Sequence, residues 1–315
     1  MRVAVYGAGG VGSSVGEFLS RRAGYELLGP HRRDEREAAL TCGADAVVIA
    51  TTSFLVEVAP DIETAVDHGS NVLTTCEEAA SPWATHPELA ARIDALARER
   101  GVTVLGGGVN PGFAFDALVL TASGVCSDVS SIRVQRVVNL SRFSEAVLAR
   151  LGIGYSPEEF ADRVASGTIT GHIGFPQSMH VVADALGVRI ERIERTIEAL
   201  WGERDYQRPH GRTVRGLSAG FRQCYVAIVD DRPWFEALFT GHLDPANLNL
   251  APLDRIEIYG STPVQMEISP GLDPQLASCA MVANSIPRLV AARPGWLSVA
   301  DLAPATAPSV QSHGA

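Results

Sequence analysis

The stretch Val5-Tyr6-Gly7-Ala8-Gly9-Gly10-Val11-Gly12 decides the fold of this 315-residue chain. It places the glycine pattern GxGxxG after the apolar segment 2–6 and before a segment whose apolar residues have helical spacing. In such a strand–turn–helix unit, the first glycine allows a tight turn, the second lets the backbone approach a pyrophosphate, and the third lets the helix pack close to the strand. The pattern predicts a dinucleotide site with candidate contacts at Gly7, Gly9, Gly10, Val11 and Gly12. A glycine-rich turn without a ligand is the alternative.

Continuous apolar runs alternate with helical patterns over the first hundred residues, which is typical of a doubly wound parallel sheet. Strands are predicted at 2–6, 25–29, 46–50, 71–75 and 102–105, and helices at 13–22, 58–68 and 87–100. Beyond residue 117, strands predicted at 131–139, 225–229 and 255–260 lie among longer loops, which favours an α+β domain. We therefore predict an α/β protein with a Rossmann-type domain 1–116, a substrate and dimerisation domain 117–275, a helical segment 276–302 that returns to the first domain, and a flexible tail 303–315.

The composition favours small-molecule chemistry. The chain is 46% hydrophobic and 20% charged, with a formal net charge of −10, so nothing indicates binding to nucleic acid or to an anionic membrane. No apolar stretch is long enough to cross a bilayer, and Met1 leads directly into a strand, so we expect a cytoplasmic protein. The five cysteines are widely spaced without a CxxC pair, which argues against a disulfide framework and a metal site.

The end of the second predicted strand bears on cofactor preference. An NAD enzyme usually has an acid there that binds the ribose 2′-OH, but this chain continues with Arg32 and Arg33. Guanidinium groups pair well with a 2′-phosphate, so we predict that NADP is preferred. NAD use stays open because Asp34 and Glu35 follow at once, and the arginines could simply be solvated loop residues.

Two adjacent carboxylates, Glu77 and Glu78, follow the strand predicted at 71–75. Ligand sites in open α/β sheets lie outside the carboxyl ends of the strands, so these side chains are candidates for acid–base chemistry. An apolar neighbour such as Trp83 could raise the pKa of one of them. The alternative is that both are solvated or begin a helix.

A second polar loop follows the next strand. Residues 106–113 read GGGVNPGF, in which the glycines allow close approach to a flat ring. Asn110 offers a polar group beside Pro111 and Gly112, and Phe113 offers an apolar wall. Because both loops follow neighbouring strands, we expect the cofactor ring and a substrate to meet here.

Several separated motifs resemble the 2,4-diaminopentanoate dehydrogenase family, which includes the native amine dehydrogenases and is distantly similar to dihydrodipicolinate reductase. Besides the glycine pattern, they are ATTSF at 50–54, CEE at 76–78, GVTVLGGGVNPGF at 101–113, GTITGHIG at 167–174 and NSIPR at 284–288. The resemblance implies reversible NAD(P)-dependent oxidative deamination of an amine, which in reverse is reductive amination of a ketone with ammonium.

The resemblance also implies residue roles. It places the catalytic glutamate in the segment of Glu77 and Glu78; we favour Glu78 and keep Glu77 as the alternative. It adds cofactor contacts at Thr51, Thr52 and Ser53, and substrate-pocket residues at Phe113, His172 and Trp83. A homodimer is expected as well.

Two departures from the family pattern leave open the adenosine contacts and the substrate, respectively. The stretch before residue 46 is short and carries the arginine pair, and Gln177 stands where relatives commonly have Glu. The lost charge favours a simple ketone, a keto acid or a cyclic imine over a doubly aminated substrate. Two alternative functions stay open: a reductase of preformed cyclic imines resembling dihydrodipicolinate reductase, and a non-catalytic NADP-binding sensor.

Overall fold

A computed structural model describes residues 1–208 and 211–308, which form two compact units. The first contains Met1–Leu120, His180–Ala185 and the chain from Asp273 onward, and the second contains Thr121–Met179 and Leu186–Leu272. The strands are β1 (Arg2–Tyr6), β2 (Glu26–His31), β3 (Ala46–Ile49), β4 (Asn71–Thr74), β5 (Thr103–Gly106), β6 (Ser131–Asn139), β7 (Arg192–Trp201), β8 (Tyr206–Arg208), β9 (Gly211–Thr213), β10 (Ser218–Val229), β11 (Arg232–His242), β12 (Leu253–Tyr259), β13 (Val264–Ile268) and β14 (Gly295–Leu297). The helices are α1 (Gly10–Ser20), α2 (Arg36–Leu40), α3 (Leu55–Asp67), α4 (Pro87–Arg100), α5 (Ala117–Ser123), α6 (Glu145–Arg150), α7 (Pro157–Ala165), α8 (Phe175–Leu186) and α9 (Pro274–Val290).

The first unit is built on a parallel six-stranded sheet with the order β14-β5-β4-β3-β1-β2. Every residue of β3 is buried, as expected for a strand covered on both faces. Helices α1 and α9 contribute Val15, Leu19 and Ile286 to the core on one face, and α3 and α4 contribute to the other. The predicted Rossmann-type sheet and the return of the C-terminal helix to it are thus confirmed.

Element boundaries differ from the sequence prediction where tertiary contacts set them. β2 continues past residue 29 to His31, because it is an edge strand and tolerates Pro30. α3 begins at Leu55 rather than at residue 58. β14 lies within the segment predicted as helical; three residues are too few for a periodic pattern.

The second unit is built on a mixed six-stranded sheet with the order β13-β12-β6-β11-β10-β7, in which only the β11–β6 pair is parallel. The predicted strand 225–229 begins earlier, at Ser218. Strands β7, β11 and β13 and the β8–β9 hairpin were not predicted. One face of the sheet is buried and rich in phenylalanine, with Phe221, Phe235 and Phe239 in its core.

The predicted tail falls partly outside the described residues: 303–308 have no regular structure, and 309–315 are not described. Across the described part of the chain, the longest apolar helices are too short or too polar to cross a membrane. The same residues contain no cluster of three or more His, Cys, Asp or Glu that could hold a metal ion.

Candidate cofactor and active site

Backbone hydrogen bonds join the loops that leave the parallel strands of the first unit at their carboxyl ends. The links are Gly7 N–H to His31 O (3.0 Å), Ala50 N–H to Tyr6 O (2.8 Å), Thr75 N–H to Ile49 O (3.0 Å) and Gly107 N–H to Thr74 O (2.9 Å). Because the strands are parallel, the loops predicted to bind ligand all lie at this one edge.

The glycines of the first loop have different surroundings. Gly7 has φ +114°, and a Cβ there would lie 2.3 Å from the carbonyl oxygen of Ala50. A Cβ on Gly12 would lie 1.7 Å from the carbonyl oxygen of Gly7. A Cβ on Gly9 would have no atom within 4 Å. The backbone is therefore closely packed below the loop, and the space above Gly9 is open.

The N-terminus of α1 is suited to an anion. Gly9 precedes the helix, no side chain caps it, and its first turn contains no acidic residue. The N–H groups of Gly10, Val11 and Gly12 come before the first i to i−4 bond, which Ser13 donates to Gly9 at 2.9 Å. A pyrophosphate would receive these donors together with the helix dipole.

Arg32 and Arg33 directly follow β2, and both side chains are exposed. The carboxylate of Glu35 accepts the backbone N–H of Arg32 at 2.8 Å. Glu35 is therefore engaged locally, whereas Asp34 and the two arginines are exposed directly after β2.

The loop after β3 is ordered by its own hydroxyl groups. Thr52 donates through Oγ1 to Glu57 Oε2 at 2.6 Å and accepts the Phe54 N–H at 3.3 Å. The carbonyl oxygen of Ser53 accepts the Glu78 N–H at 3.4 Å. Thr51 is exposed. This loop therefore contacts the segment that contains the two candidate glutamates.

The two glutamates begin a 3₁₀ turn, Glu77–Ala80, which we call the glutamate turn. Glu78 Oε2 accepts the Leu55 N–H at 2.7 Å and lies 3.6 Å from Nε2 of His86, with the Glu78 side chain 20% exposed. The residue favoured from the sequence as the catalytic acid–base group thus caps the N-terminus of α3. Successive side chains of a 3₁₀ helix are about 120° apart, so Glu77 points in a different direction.

Cys76 and Trp83 flank the glutamates in sequence. Burial raises the pKa of the Cys76 thiol to about 12, so it stays protonated at neutral pH. Trp83 is 43% exposed and lines a cleft of about 450 Å³ in the first unit, together with Asp184, Trp296 and Asp301. The role of Trp83 as an apolar neighbour of a glutamate stays a prediction.

The loop after β5 contains a buried amide with unsatisfied hydrogen-bonding groups. Asn110 is 8% exposed, and its Oδ1 and Nδ2 atoms are buried without a hydrogen-bond partner in the described part of the chain. Two residues that follow the loop in sequence hydrogen-bond its backbone. Asp116 accepts the Gly112 N–H at 2.7 Å, and Ser278 Oγ accepts the Val109 N–H at 3.2 Å. Buried polar groups of native proteins are normally satisfied, so this amide is suited to a ligand. Phe113 is half-buried.

The second unit places His172 among aromatic rings. Its ring centroid lies 4.8 Å from that of Phe175 and 5.1 Å from that of Phe239, and its backbone N–H donates to Gln223 Oε1 at 2.8 Å. Burial, followed by the nearby charges of Arg136 and Arg150, lowers the pKa of His172 to about 3. The ring is neutral near pH 7, and its buried Nδ1 has no hydrogen-bond partner among the described residues.

Some residues of the site carried no sequence signal. Asp116 and Ser278 hold the Asn110 loop, and Leu55 and His86 hold Glu78. Ser278 and Leu55 lie far from their partners in sequence and meet them only in the folded chain, whereas Asp116 is four residues after Gly112. Gln177, singled out by its departure from the family pattern, is 4% exposed, and its Oε1 has no hydrogen-bond partner in the described part of the chain.

Comparison with known proteins identifies relatives over nearly the whole chain. The family model for the 2,4-diaminopentanoate dehydrogenase C-terminal domain matches residues 113–313. A 2,4-diaminopentanoate dehydrogenase from Acetoanaerobium sticklandii is 32% identical over 328 positions, which cover 96% of this chain and 93% of the relative. An amine dehydrogenase from Streptomyces virginiae is 29% identical over 203 positions, which cover 62% of this chain and 54% of the relative.

Solved structures share the fold. An amine dehydrogenase from Mycobacterium smegmatis superposes with a TM-score of 0.83 at 21% identity, covering 98% of this chain and 97% of that one. A myo-inositol dehydrogenase from Lactobacillus casei, solved with NAD(H) and myo-inositol, gives a TM-score of 0.58 at 14% identity, covering 96% and 90%. At these identities the likeness concerns the fold alone.

Proposed function

The chain belongs to the 2,4-diaminopentanoate dehydrogenase family, and we propose that it catalyses the reversible reductive amination of a ketone with ammonium. Membership confirms the resemblance seen in the sequence and makes the chain an NAD(P)-dependent oxidoreductase that acts on amines. The observation that carries the proposal is the common edge of the sheet. There, backbone hydrogen bonds join the ends of the strands that lead into the glycine loop, the glutamate turn and the Asn110 loop.

The residues present fit a nicotinamide dinucleotide. The open space above Gly9 and the uncapped N-terminus of α1 would hold the pyrophosphate, and the buried amide of Asn110 would hydrogen-bond the nicotinamide end. Thr51, Thr52 and Ser53 would border the cofactor between these points. When bound, the cofactor supplies hydride transfer to or from the substrate carbon.

Glu77 is proposed as the acid–base group in place of Glu78. Glu78 Oε2 accepts the Leu55 N–H and lies 3.6 Å from His86 Nε2, which directs this carboxylate toward α3, whereas Glu77 begins the same turn one residue closer to β4. In the amination direction, Glu77 would bind ammonium and accept one of its protons. The ammonia formed adds to the carbonyl carbon and passes one further proton to the carbonyl oxygen. Glu77 then returns its proton to that oxygen, which leaves as water, and the iminium left behind can accept hydride.

NADP is proposed as the preferred cofactor. Arg32 and Arg33 are exposed at the end of β2, and the Glu35 carboxylate accepts a local backbone N–H. A 2′-phosphate would therefore find two cations and no competing acid from Glu35. NAD remains a usable cofactor in this proposal, because the glycine loop and the Asn110 loop do not contact the 2′ position.

A simple ketone or keto acid is proposed as the substrate. The substrate residues suggested in the second unit are His172, which is neutral, and Gln177, which is an amide. Neither offers the negative charge that would favour a second ammonium group on the substrate. Phe113 and Trp83 remain proposed apolar contacts.

A homodimer is proposed through the second unit. On the face of its sheet opposite the phenylalanine core, Cys224 and Leu238 are cross-strand neighbours with half-buried side chains. Ion pairs of Arg133 with Glu236 (3.2 Å) and of Arg255 with Glu267 (2.6 Å) lie beside them. An apolar centre with charges of both signs around it suits a second copy of the same surface. Sedimentation equilibrium of the wild type and of Leu238→Glu tests it, because the charge should produce monomers.

A cytoplasmic location is also proposed. All five cysteines are unpaired, which favours a reducing compartment.

The test of the function is turnover of purified protein with NADPH, ammonium and a panel of ketones and keto acids, followed by the absorbance of the reduced cofactor. Oxidation of NADPH that requires both ammonium and a ketone supports the proposal. Turnover only of preformed cyclic imines, without ammonium, would replace it with the imine-reductase alternative. Cofactor binding without any turnover would favour the sensor.

A further inference from the structure

We propose that Glu78 is a positioning residue, which fixes the glutamate turn against the N-terminus of α3 so that Glu77 keeps one orientation. This inference rests on the proposed function, because it assumes that Glu77 performs the proton transfer. It gives separate roles to two adjacent carboxylates that the sequence could not distinguish.

The attachment on the α3 side uses both the side chain and the backbone of Glu78. Its Oε2 atom accepts the Leu55 N–H at 2.7 Å, and its own N–H donates to Ser53 O at 3.4 Å. The Leu55 N–H belongs to the first turn of α3, where it has no acceptor inside the helix, and no side chain caps that helix from Phe54. Glu78 therefore satisfies a donor that the local sequence leaves open, and its negative charge is stabilised by the helix dipole.

The opposite side of the glutamate turn is fixed through Ala79. The carbonyl oxygen of Ala79 accepts the indole N–H of Trp296 at 3.2 Å. A Cβ on Gly106 would lie 2.2 Å from the carbonyl carbon of Ala79, so the backbone of β5 directly abuts the turn. Glu78 is hydrogen-bonded to α3, and Ala79 contacts β5 and is hydrogen-bonded to β14, so the turn is fixed on two sides. Glu77 begins the same turn, one residue before Glu78.

The experiment compares Glu78→Ala and Glu78→Gln in reductive amination. The amide oxygen of Gln can still accept the Leu55 N–H, whereas Ala cannot. We expect kcat of Glu78→Ala to fall at least about tenfold, since small misplacements of a catalytic group cost up to about 10² in rate. We expect Glu78→Gln to keep kcat within about threefold, because its amide oxygen can still hold the turn against α3. NADPH affinity and the melting temperature should stay near wild type in Glu78→Gln.

The matched control is Glu63→Gln. Glu63 is another half-buried glutamate and pairs with Arg92 at 2.7 Å; it lies toward the C-terminal end of α3, away from Leu55. It should leave kcat unchanged. Unchanged kcat in Glu78→Ala would overturn the inference, and so would a loss of kcat in Glu78→Gln as large as that in Glu78→Ala. Loss of NADPH binding in parallel with kcat would also overturn it, because Glu78 would then maintain the cofactor site.

Glu77→Gln separates this inference from the proposed function. It should lower kcat by at least about 10² while NADPH still binds. If Glu77→Gln stays active, the proposed acid–base role fails, whatever Glu78 does. If Glu77→Gln is inactive and both Glu78 variants behave like wild type, only the positioning role fails.

Discussion

Gly7 and Gly12 are in direct backbone contact: a Cβ on Gly12 would lie 1.7 Å from the carbonyl oxygen of Gly7. Gly9, between them in sequence, has no atom within 4 Å of its Cβ position and has φ −76°, which any residue can adopt. Gly12 is therefore required by the fold, whereas Gly9 is exposed and faces the open space in which we propose that the pyrophosphate binds.

Substitution of the two glycines should separate folding from binding. Gly9→Val is expected to keep the melting temperature within a few degrees of wild type and to abolish NADPH binding, because its side chain would occupy the pyrophosphate position. Gly12→Ala should lower the free energy of unfolding by about 1–3 kcal/mol or more, because the backbone of Gly7 must move. Thermal melts and fluorescence titrations with NADPH measure both. Normal NADPH binding by Gly9→Val would mean that the loop is only a turn.

The paired substitution Arg32→Ala and Arg33→Ala should discriminate between cofactors. Charge-assisted hydrogen bonds to a 2′-phosphate would be lost, so the Kd for NADPH should rise at least about tenfold while that for NADH changes little. Arg21→Ala is the control, because Arg21 is also exposed in the first unit and pairs with Glu17 on α1. Equal losses for both cofactors, or a wild-type preference for NADH, would contradict the assignment.

The sequence could predict the parallel sheet and the edge at which its loops meet, because both follow from local patterns. Buried strands such as β3 are apolar throughout, and the glycines of the first loop have fixed spacing. It could not predict β14, whose three residues pair with β5 from nearly 200 positions away in sequence. Nor could it predict that α3 begins at Leu55, since its capping group is Glu78.

The choice between Glu77 and Glu78 also depends on contacts that local sequence patterns do not reveal. Both residues follow β4 and both are acids, so composition and spacing treat them alike. What distinguishes them is the direction of each side chain on a 3₁₀ turn, and that depends on Leu55 and His86. The charged strand β7 was missed for a related reason: it lies at the sheet edge, and its exposed residues hide the period-two pattern.

Asn110→Leu should stabilise the cofactor-free protein and weaken NADPH binding. Both polar atoms of Asn110 are buried without partners in the described part of the chain, and leaving such a group unsatisfied costs about 1–3 kcal/mol. The free energy of unfolding without cofactor should therefore rise by about 1 kcal/mol, while NADPH binding weakens about tenfold. Urea unfolding and cofactor titration are the measurements.

Asn71→Leu is the control for that prediction, because both of its polar atoms are used. Nδ2 donates to Asp45 O at 2.8 Å, and Oδ1 accepts the Thr103 N–H at 2.9 Å. This variant should be less stable than wild type. If Asn110→Leu is destabilised to the same extent, the amide of Asn110 serves the fold rather than a ligand.

His172 should make the stability of the protein depend on pH. Its pKa is lowered from 6.5 to about 3 by burial and by the charges of Arg136 and Arg150. Below about pH 6.5 the unfolded chain therefore binds a proton at this position that the folded chain does not bind. The free energy of unfolding is therefore unaffected by His172 above its pKa in the unfolded chain, and it decreases as the pH falls toward 3. Each pH unit within that window costs up to about 1.4 kcal/mol.

His172→Phe tests this, because a third phenyl ring can replace the imidazole between Phe175 and Phe239 without titrating. Between about pH 7 and pH 5, the wild type should lose about 2 kcal/mol more free energy of unfolding than the variant, measured by urea denaturation. His68→Gln is the control: His68 is exposed, and its loss should leave the pH dependence of the wild type unchanged. If His172→Phe and wild type lose stability in parallel as the pH falls, the imidazole is solvated in the folded state, and its proposed role as a neutral substrate contact loses its support.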